Sequence, residues 1–353
     1  MGGIMWMRWL PWRWILKNAA LSKGFLDPVT LLSQFSRFSK PSEVLAPTEL
    51  LRAGMVLHAR GLINSQAIQH NLDWVWPYWV ERQFNPHDPS FIPRAFSVTH
   101  INLTHRNWTA VGQPGVPFLP ITDSRGLMTP FTGKWSLDCW IIYQDHTSLV
   151  PGRVQKFEQM YDMEDDLRIL SISSDDSSQL SVLNRVLILN NQPMYHIDVN
   201  ATSSKPAYLA IAVRPYNPEG ISFIHKLAFS PEKNKFLVNG SKGISFNQNP
   251  DSCLLSEYKD GDVFRKALQG GKHTIDTQVS CDVGLATGVV LFALDPGKPR
   301  SVEVKVISKV LPKESKQKKW LQKPTSWQDV FKKGSILDGL NEKYQYLFNA
   351  AVH

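Results

Sequence analysis

The sequence predicts a mainly β protein: a large antiparallel two-sheet sandwich, with a helical lead before it and a helix after it. Three observations predict this class. The middle of the chain holds ten or more strand-length runs separated by turn clusters, with no helical pattern between them. Two of those runs alternate cleanly. Tyr195, Ile197, Val199 and Ala201 interleave with His196, Asp198 and Asn200, while Val302, Val304 and Val306 interleave with Ser301, Glu303 and Lys305. Each reads as a strand with one buried and one polar face. A third run, residues 208–213, is unbroken apolar sequence bounded by Pro206 and by Arg214-Pro215. A continuous run of that length suits a strand covered on both faces. Packing two sheets face to face is the natural way to bury so many apolar surfaces.

Taken in order, residues 1–40 read as one or two short helices broken near Gly24 and Asp27-Pro28. Pro47-Thr48-Glu49 reads as a helix start. A further helix is expected over residues 64–83, with Ala67, Ile68, Leu72, Val75, Trp76 and Trp79 on its apolar side and Pro77 kinking or ending it. Residues 85–89, Asn-Pro-His-Asp-Pro, close this lead. Strand texture starts near residue 95, and residues 112–130 read as loop. Further strands are expected at 135–143, 154–161, 167–173, 181–189, 195–201, 236–238, 274–281, 288–294 and 301–307. Between 208–213 and a second apolar stretch at 221–229 lies Arg214-Pro-Tyr-Asn-Pro-Glu-Gly220, a rigid bend holding Arg214, Tyr216, Asn217 and Glu219. Those polar groups either satisfy their own backbone, as turn residues do, or form a site. Residues 312–324 are lysine-rich and read as a solvated linker. Residues 336–352 form a last helix with Leu340, Tyr344, Leu347, Phe348 and Ala351 on one stripe, which needs something to lie against. The implied division is a lead at 1–93, the sandwich at 94–310 and a basic linker with helix at 311–353.

Composition narrows the function classes. Of 353 residues, 42% are hydrophobic and 20% charged, which fits a folded chain. The net charge of +8 belongs to the ends: residues 1–60 hold eight Lys/Arg against three acids, and 298–333 hold eleven against three. The body, 61–297, has 19 Lys/Arg and 23 Asp/Glu, so the protein does not read as a nucleic-acid binder. Cys139, Cys253 and Cys281 are sparse and odd in number, neither a disulfide framework nor a zinc motif, and fit a reducing, cytoplasmic setting. Residues 1–24 carry Trp6, Trp9, Trp12 and Trp14 among Arg8, Arg13 and Lys17. That pattern lacks the continuous apolar core of a signal peptide. It suits either an interfacial membrane helix or a helix packing its tryptophans on protein.

No catalytic constellation stands out. There is no GxSxG elbow, no phosphate-cradling loop and no HExxH. His100 and His105 lack metal-ligand spacing on one helix face, and the acid clusters at 162–166 and 175–176 read as solvated loops. No cofactor, metal or catalytic residue is therefore expected. The most unusual polar stretch is 99–109, Thr-His-Ile-Asn-Leu-Thr-His-Arg-Asn-Trp-Thr, which offers Asn102, His105, Arg106, Asn107 and Trp108. An aromatic face among Asn, Arg and His donors suits a sugar ring. It equally suits a polar network that locks two sheets or docks a neighbouring domain, and the second is favoured. Arg214, Tyr216 and Asn217 join these as ligand-binding or domain-interface candidates.

Three segments, 60–112, 130–140 (PFTGKWSLDCW) and 212–227 (AVRPYNPEGISFIHKL), resemble the N-terminal region of bacterial amylo-alpha-1,6-glucosidases, the glycogen debranching enzyme-like proteins. The resemblance implies a β-sandwich of the kind that precedes an (α/α)6 helical barrel in glucoamylase-like enzymes. It implies that residues 313–353 are linker and first barrel helix. The acid and base of that family lie in the barrel, so no catalytic residue carries over. The expected role is a non-catalytic, cytoplasmic sandwich, inactive alone and truncated before the barrel. Its partner would be the helical barrel, in cis or in trans, with contact to α-glucan in reach. The alternative is a stand-alone carbohydrate-binding module, or one held at a membrane surface through residues 1–24.

Overall fold

The computed structural model describes residues 70–82, 108–162, 167–190, 192–218, 220–270, 274–307 and 341–352, with single positions 63, 67, 68, 327 and 329. Among the described residues nineteen strands are present: β1 (Trp108–Ala110), β2 (Ile121–Asp123), β3 (Met128–Thr129), β4 (Ser136–Tyr143), β5 (Ser148–Leu149), β6 (Lys156–Asp162), β7 (Arg168–Ser174), β8 (Ser178–Leu189), β9 (Gln192–Ser203), β10 (Ala207–Arg214), β11 (Tyr216–Asn217), β12 (Gly220–Ile221), β13 (Lys226–Ser230), β14 (Lys235–Val238), β15 (Lys242–Phe246), β16 (Ser252–Ser256), β17 (Gln278–Ser280), β18 (Thr287–Leu294) and β19 (Arg300–Ile307). The α-helices with described bounds are α1 (Tyr78–Arg82), α2 (Val263–Leu268) and α3 (Glu342–Val352).

The strands form two large antiparallel sheets. The eight-stranded sheet runs β1-β2-β3-β4-β10-β18-β16, with β5 added on β4, and the nine-stranded sheet runs β17-β13-β14-β15-β19-β9-β8-β7-β6. A two-stranded β11–β12 ribbon sits apart. The alternating sequences explain the first core cluster. Leu137, Cys139 and Ile141 of β4 and Leu209 and Ile211 of β10 meet Tyr195, Ile197 and Val199 of β9 and Val302, Val304 and Val306 of β19. The polar members of β9 and β19 point away from it, as period-two strands require.

β10 explains its own unbroken apolar sequence. It lies between β4 and β18, and its other face is covered as well. Trp140 and Ile142 of β4 and Ala210 and Ala212 of β10 pack with Val263, Phe264 and Ala267 of α2 and with Val75 in a second cluster. The eight-stranded sheet is thus a middle layer.

Some local expectations need correction. Residues 63, 67, 68 and 70 are helical, but 71–77 are not, and a new helix starts at Tyr78. Pro77 therefore precedes a helix instead of ending one, accepting from Val80 and Glu81 N–H at 2.8 and 3.1 Å. The break has a tertiary cause, because the backbone at Val75 is bound by remote side chains described below. Residues 112–130, expected as loop, contain β2 and β3, while β15 and β16 were not anticipated. Lys242-Gly-Ile-Ser-Phe246 and Ser252-Cys-Leu-Leu-Ser256 are short, with little alternation to see. α2 breaks the expectation of a helix-free middle; Asp262 caps it by accepting from Phe264 N–H at 3.1 Å. The 221–229 stretch is not one strand, since Ser222–His225 separates β12 from β13. Of residues 274–281 only β17 is a strand. The last helix is described from Glu342; Tyr344 and Leu347 are 56% and 51% exposed. Its Tyr346 hydroxyl accepts from Tyr161 N–H of the edge strand β6 at 2.9 Å. Among the described residues, no helix is long and apolar enough to cross a membrane.

Candidate functional site

The covered face of the eight-stranded sheet carries an unusual density of buried charge. It starts with Arg214, the last residue of β10, where alternation places its side chain beside Ala212 and Ala210 on the outer face. Two small alanines before it leave room for a large planar group. Arg214 is fully buried, as is Asp262. The guanidinium donates to both carboxylate oxygens of Asp262 at 2.5 Å each, to Tyr216 Oη at 2.9 Å and to the Val75 carbonyl at 2.9 Å. Tyr216 Oη donates to the same carbonyl at 2.6 Å, and Val75 N–H donates to Asp262 Oδ2 at 3.0 Å. Both backbone groups of Val75 are therefore held by side chains 139–187 positions away in sequence.

Aromatic rings close this node. Arg214 lies 5.2 Å from the Trp140 ring, 5.1 Å from Tyr216 and 6.0 Å from Trp74. Trp74 stacks on Trp76 at 5.7 Å, and Trp76 tilts against Tyr216 at 5.4 Å. Burial opposes the guanidinium charge, but the Asp262 carboxylate and the Tyr216 hydroxyl more than restore it. Burial in turn pushes the Tyr216 hydroxyl far above the usual phenol range. A second arginine, Arg153, secures the same segment: it pairs with Glu81 at 2.8 Å, and Glu81 also accepts from Trp76 N–H at 3.0 Å.

Two further carboxylates share this face. Asp138 sits on β4 opposite Ala212, diagonal to Arg214, and is 8% exposed. Burial pushes it up to about 6 against the pull of the Trp140 indole and the Arg214 guanidinium. Its Oδ1 accepts from Cys139 N–H at 2.9 Å. Asp123 ends β2 and is 2% exposed. Its Oδ1 accepts from Arg125 and Leu127 N–H at 2.8 and 2.9 Å, which closes the β2–β3 hairpin, with Gly126 supplying the positive φ of 85° that the turn requires. Burial pushes Asp123 up to about 7 despite those two donors.

Of the residues singled out in the sequence, Arg214 and Tyr216 come together in this node. Asn217 lies beside it in β11 and donates to the Lys134 carbonyl at 2.7 Å, tying the ribbon to the turn before β4. Trp108 is in β1, half-buried, opposite Asp123 in the ladder, with its indole N–H buried and without a hydrogen bond. Asn102, His105, Arg106 and Asn107 lie outside the described residues, as does Glu219. Sequence reasoning missed Asp262, Asp138 and Asp123. Asp262 had a readable signal, an acid directly before the apolar-periodic Val-Phe-Arg-Lys-Ala-Leu. Nothing local marks Asp138 inside β4.

Chemically the Arg214 node is a clamp. Its guanidinium is permanently charged, sealed from solvent and bonded within the chain, so it fixes geometry and exchanges no proton. Elsewhere, a hollow of about 390 Å³ at the sandwich end is lined by Ser174, Asp175, Ser177, Ser178, Thr202 and Ser203, among others. It is rich in hydroxyls, but no aromatic ring is among its lining residues to stack on a sugar face.

Fold and node together define an antiparallel β-sandwich of the two-large-sheet kind, clamped to the segment around Val75. No protein-family model matches the chain, and no curated protein matches it. Among solved structures, a bacterial glucoamylase complexed with acarbose overlaps 66% of this chain and 34% of its own, at 10% identity and a TM-score of 0.39. A protein assigned as a kojibiose phosphorylase from the human microbiome overlaps 70% of this chain and 31% of its own, at 11% identity and a TM-score of 0.28. The chain spans about a third of the length of either structure.

Proposed function

We propose that this chain is the non-catalytic β-sandwich portion of a carbohydrate-active enzyme of the amylo-alpha-1,6-glucosidase-like type, packing against a helical catalytic domain in cis or in trans. The observation that carries the reading is the Arg214 node. Arg214 and Tyr216, two of the polar residues that stood out in the sequence, are consumed in holding the Val75 segment against a sheet, which is interface work and not ligand work. The resembling segments support the family, since 130–140 and 212–227 supply part of β4, the end of β10 with Arg214, and Tyr216. The exposed Tyr344 and Leu347 of α3 support a packing role, because an apolar helix face gains by being covered. The perturbed acids Asp123 and Asp138 are bound to neighbouring backbone on a sealed face, which supports a structural use for both.

The test is direct. Purified full chain is incubated with linear and branched malto-oligosaccharides and released glucose is measured, then the chain is mixed with a separately produced (α/α)6 barrel of that family and run by size exclusion. The expected result is no glucose and a stable complex. Glucose release that disappears in Asp138→Asn would overturn the non-catalytic reading. Maltooligosaccharide binding that quenches tryptophan fluorescence, and is lost in Trp108→Ala, would favour the carbohydrate-binding alternative.

A further inference from the structure

A second polar cluster lies on the outer face of the nine-stranded sheet, remote in role from the Arg214 node. Register brings it together: His196 of β9 is flanked by Arg185 of β8 and Lys305 of β19, and the next outward pair is Asp198 beside Glu303. One ring nitrogen of His196 meets each acid, with Nδ1 3.5 Å from Asp198 Oδ2 and Nε2 3.6 Å from Glu303 Oε2. One donor atom from each of the three residues lies within 4.8 Å of the other two. His196 is only 6% exposed, yet its Nδ1 is buried without a hydrogen bond. The carboxylate side chains are 23% and 39% exposed, so the cluster opens to solvent on their side.

We propose that His196, Asp198 and Glu303 form a binding site for a divalent transition-metal cation of the Zn2+ kind. One imidazole and two carboxylates are donors this class accepts, with water completing a tetrahedron. Bonds of about 2.0–2.2 Å place ligand atoms roughly 3.4 Å apart, close to the 3.5 Å already present between His196 Nδ1 and Asp198 Oδ2. Glu303, which faces the other ring nitrogen, reaches the ion by rotation of its long, partly exposed side chain. Ligation also gives the His196 ring the partner its buried nitrogen lacks. The site is opposed by its own neighbours: Lys305 Nζ is 2.8 Å from Glu303 Oε2 and Arg185 Nη2 is 3.6 Å from Asp198 Oδ2. Those two cations balance the two carboxylates. A bound dication therefore requires the Lys305 ammonium, 38% exposed, to swing into solvent. No metal motif was visible in the sequence because the three ligands come from two strands that are distant in the chain.

The inference stands apart from the carbohydrate reading and is tested on the full chain, stripped with chelator. Zn2+ is titrated calorimetrically, and Co2+ is added to read the intense visible bands of tetrahedral coordination. Wild type is expected to take up one equivalent at this site. Glu303→Gln, at the open side of the cluster where it should not disturb folding, is expected to lose the site. Lys305→Met is expected to tighten binding about tenfold, the scale of removing one nearby charge in a half-wet setting. The proposal is overturned if wild type takes up no equivalent, if Glu303→Gln binds as wild type does, or if Lys305→Met binds no more tightly.

Discussion

Replacing Asp123 by Asn should remove much of the pH dependence of this protein's stability. Burial raises the Asp123 pKa from 3.8 to about 7. Between those values the folded chain holds a proton that the unfolded chain has released. Stability therefore falls as pH rises from about 4 to about 7, and the loss is complete above that. At roughly 1.4 kcal/mol per tenfold in acidity, the difference amounts to about 4 kcal/mol. Asn keeps an acceptor oxygen for the Arg125 and Leu127 N–H groups but has no charge to bury. Near pH 4, where Asp123 is neutral in both states, variant and wild type should be similar. By pH 8 the variant should be more stable by up to about 4 kcal/mol. Asp138, pushed up to about 6, adds a smaller slope of the same sign that both proteins keep. Urea unfolding at closely spaced pH values from 4 to 8, at constant m, measures the difference. Parallel stability–pH curves for the two proteins would show that the Asp123 carboxyl ionises as it would in water, and the burial argument would fail.

The other expectations concern the clamp, the edge and the close approaches. Arg214→Met leaves Asp262 buried and unpaired, and should cost about 3–5 kcal/mol; the double change with Asp262→Leu should recover a large part of it. Hydrogen exchange should then show the Val75 and Trp76 amides opening in the single variant. Tyr346→Phe removes an acceptor for an edge-strand N–H in an exposed setting, and should cost about 0.5–1 kcal/mol by urea unfolding. Gly288→Ala puts a Cβ 2.5 Å from Leu227 Cδ2 and 2.8 Å from Leu255 Cδ2 and should cost about 1–3 kcal/mol. Gly297→Ala, with φ of 74° and open space around it, should cost only about 1 kcal/mol, from backbone strain alone.

The sandwich was legible where chemistry repeats at the strand period. β9 and β19 declared their faces by alternation, and β10 declared double coverage by lacking it. Strands of two to five residues, such as β2, β3, β15 and β16, are too short for a period to show. The break at 71–77 was hidden for a different reason. Its apolar spacing suits a helix, but Asp262 and Arg214 take the Val75 N–H and C=O that a helix would use. The Arg214 bend was visible as rigid; its partners were not, because Val75 and Asp262 reach it only through the fold. The same holds for His196, whose neighbours across three strands are set by register and leave no trace in local sequence.

The Val75 attachment has a practical consequence for anyone trimming this polypeptide. Arg214 sits on the central strand, yet one of its hydrogen-bond acceptors, the Val75 carbonyl that Tyr216 also uses, belongs to a stretch well upstream of the first described strand. A version begun at residue 94, where the strand texture starts, would remove Trp74 and Val75 from around Arg214 and leave a desolvated cation and its carboxylate facing water-sized gaps. Such a shortened product should express poorly or aggregate, whereas one begun ahead of Ile63 keeps the cover. The boundary for expression therefore lies upstream of the boundary that strand content alone would suggest.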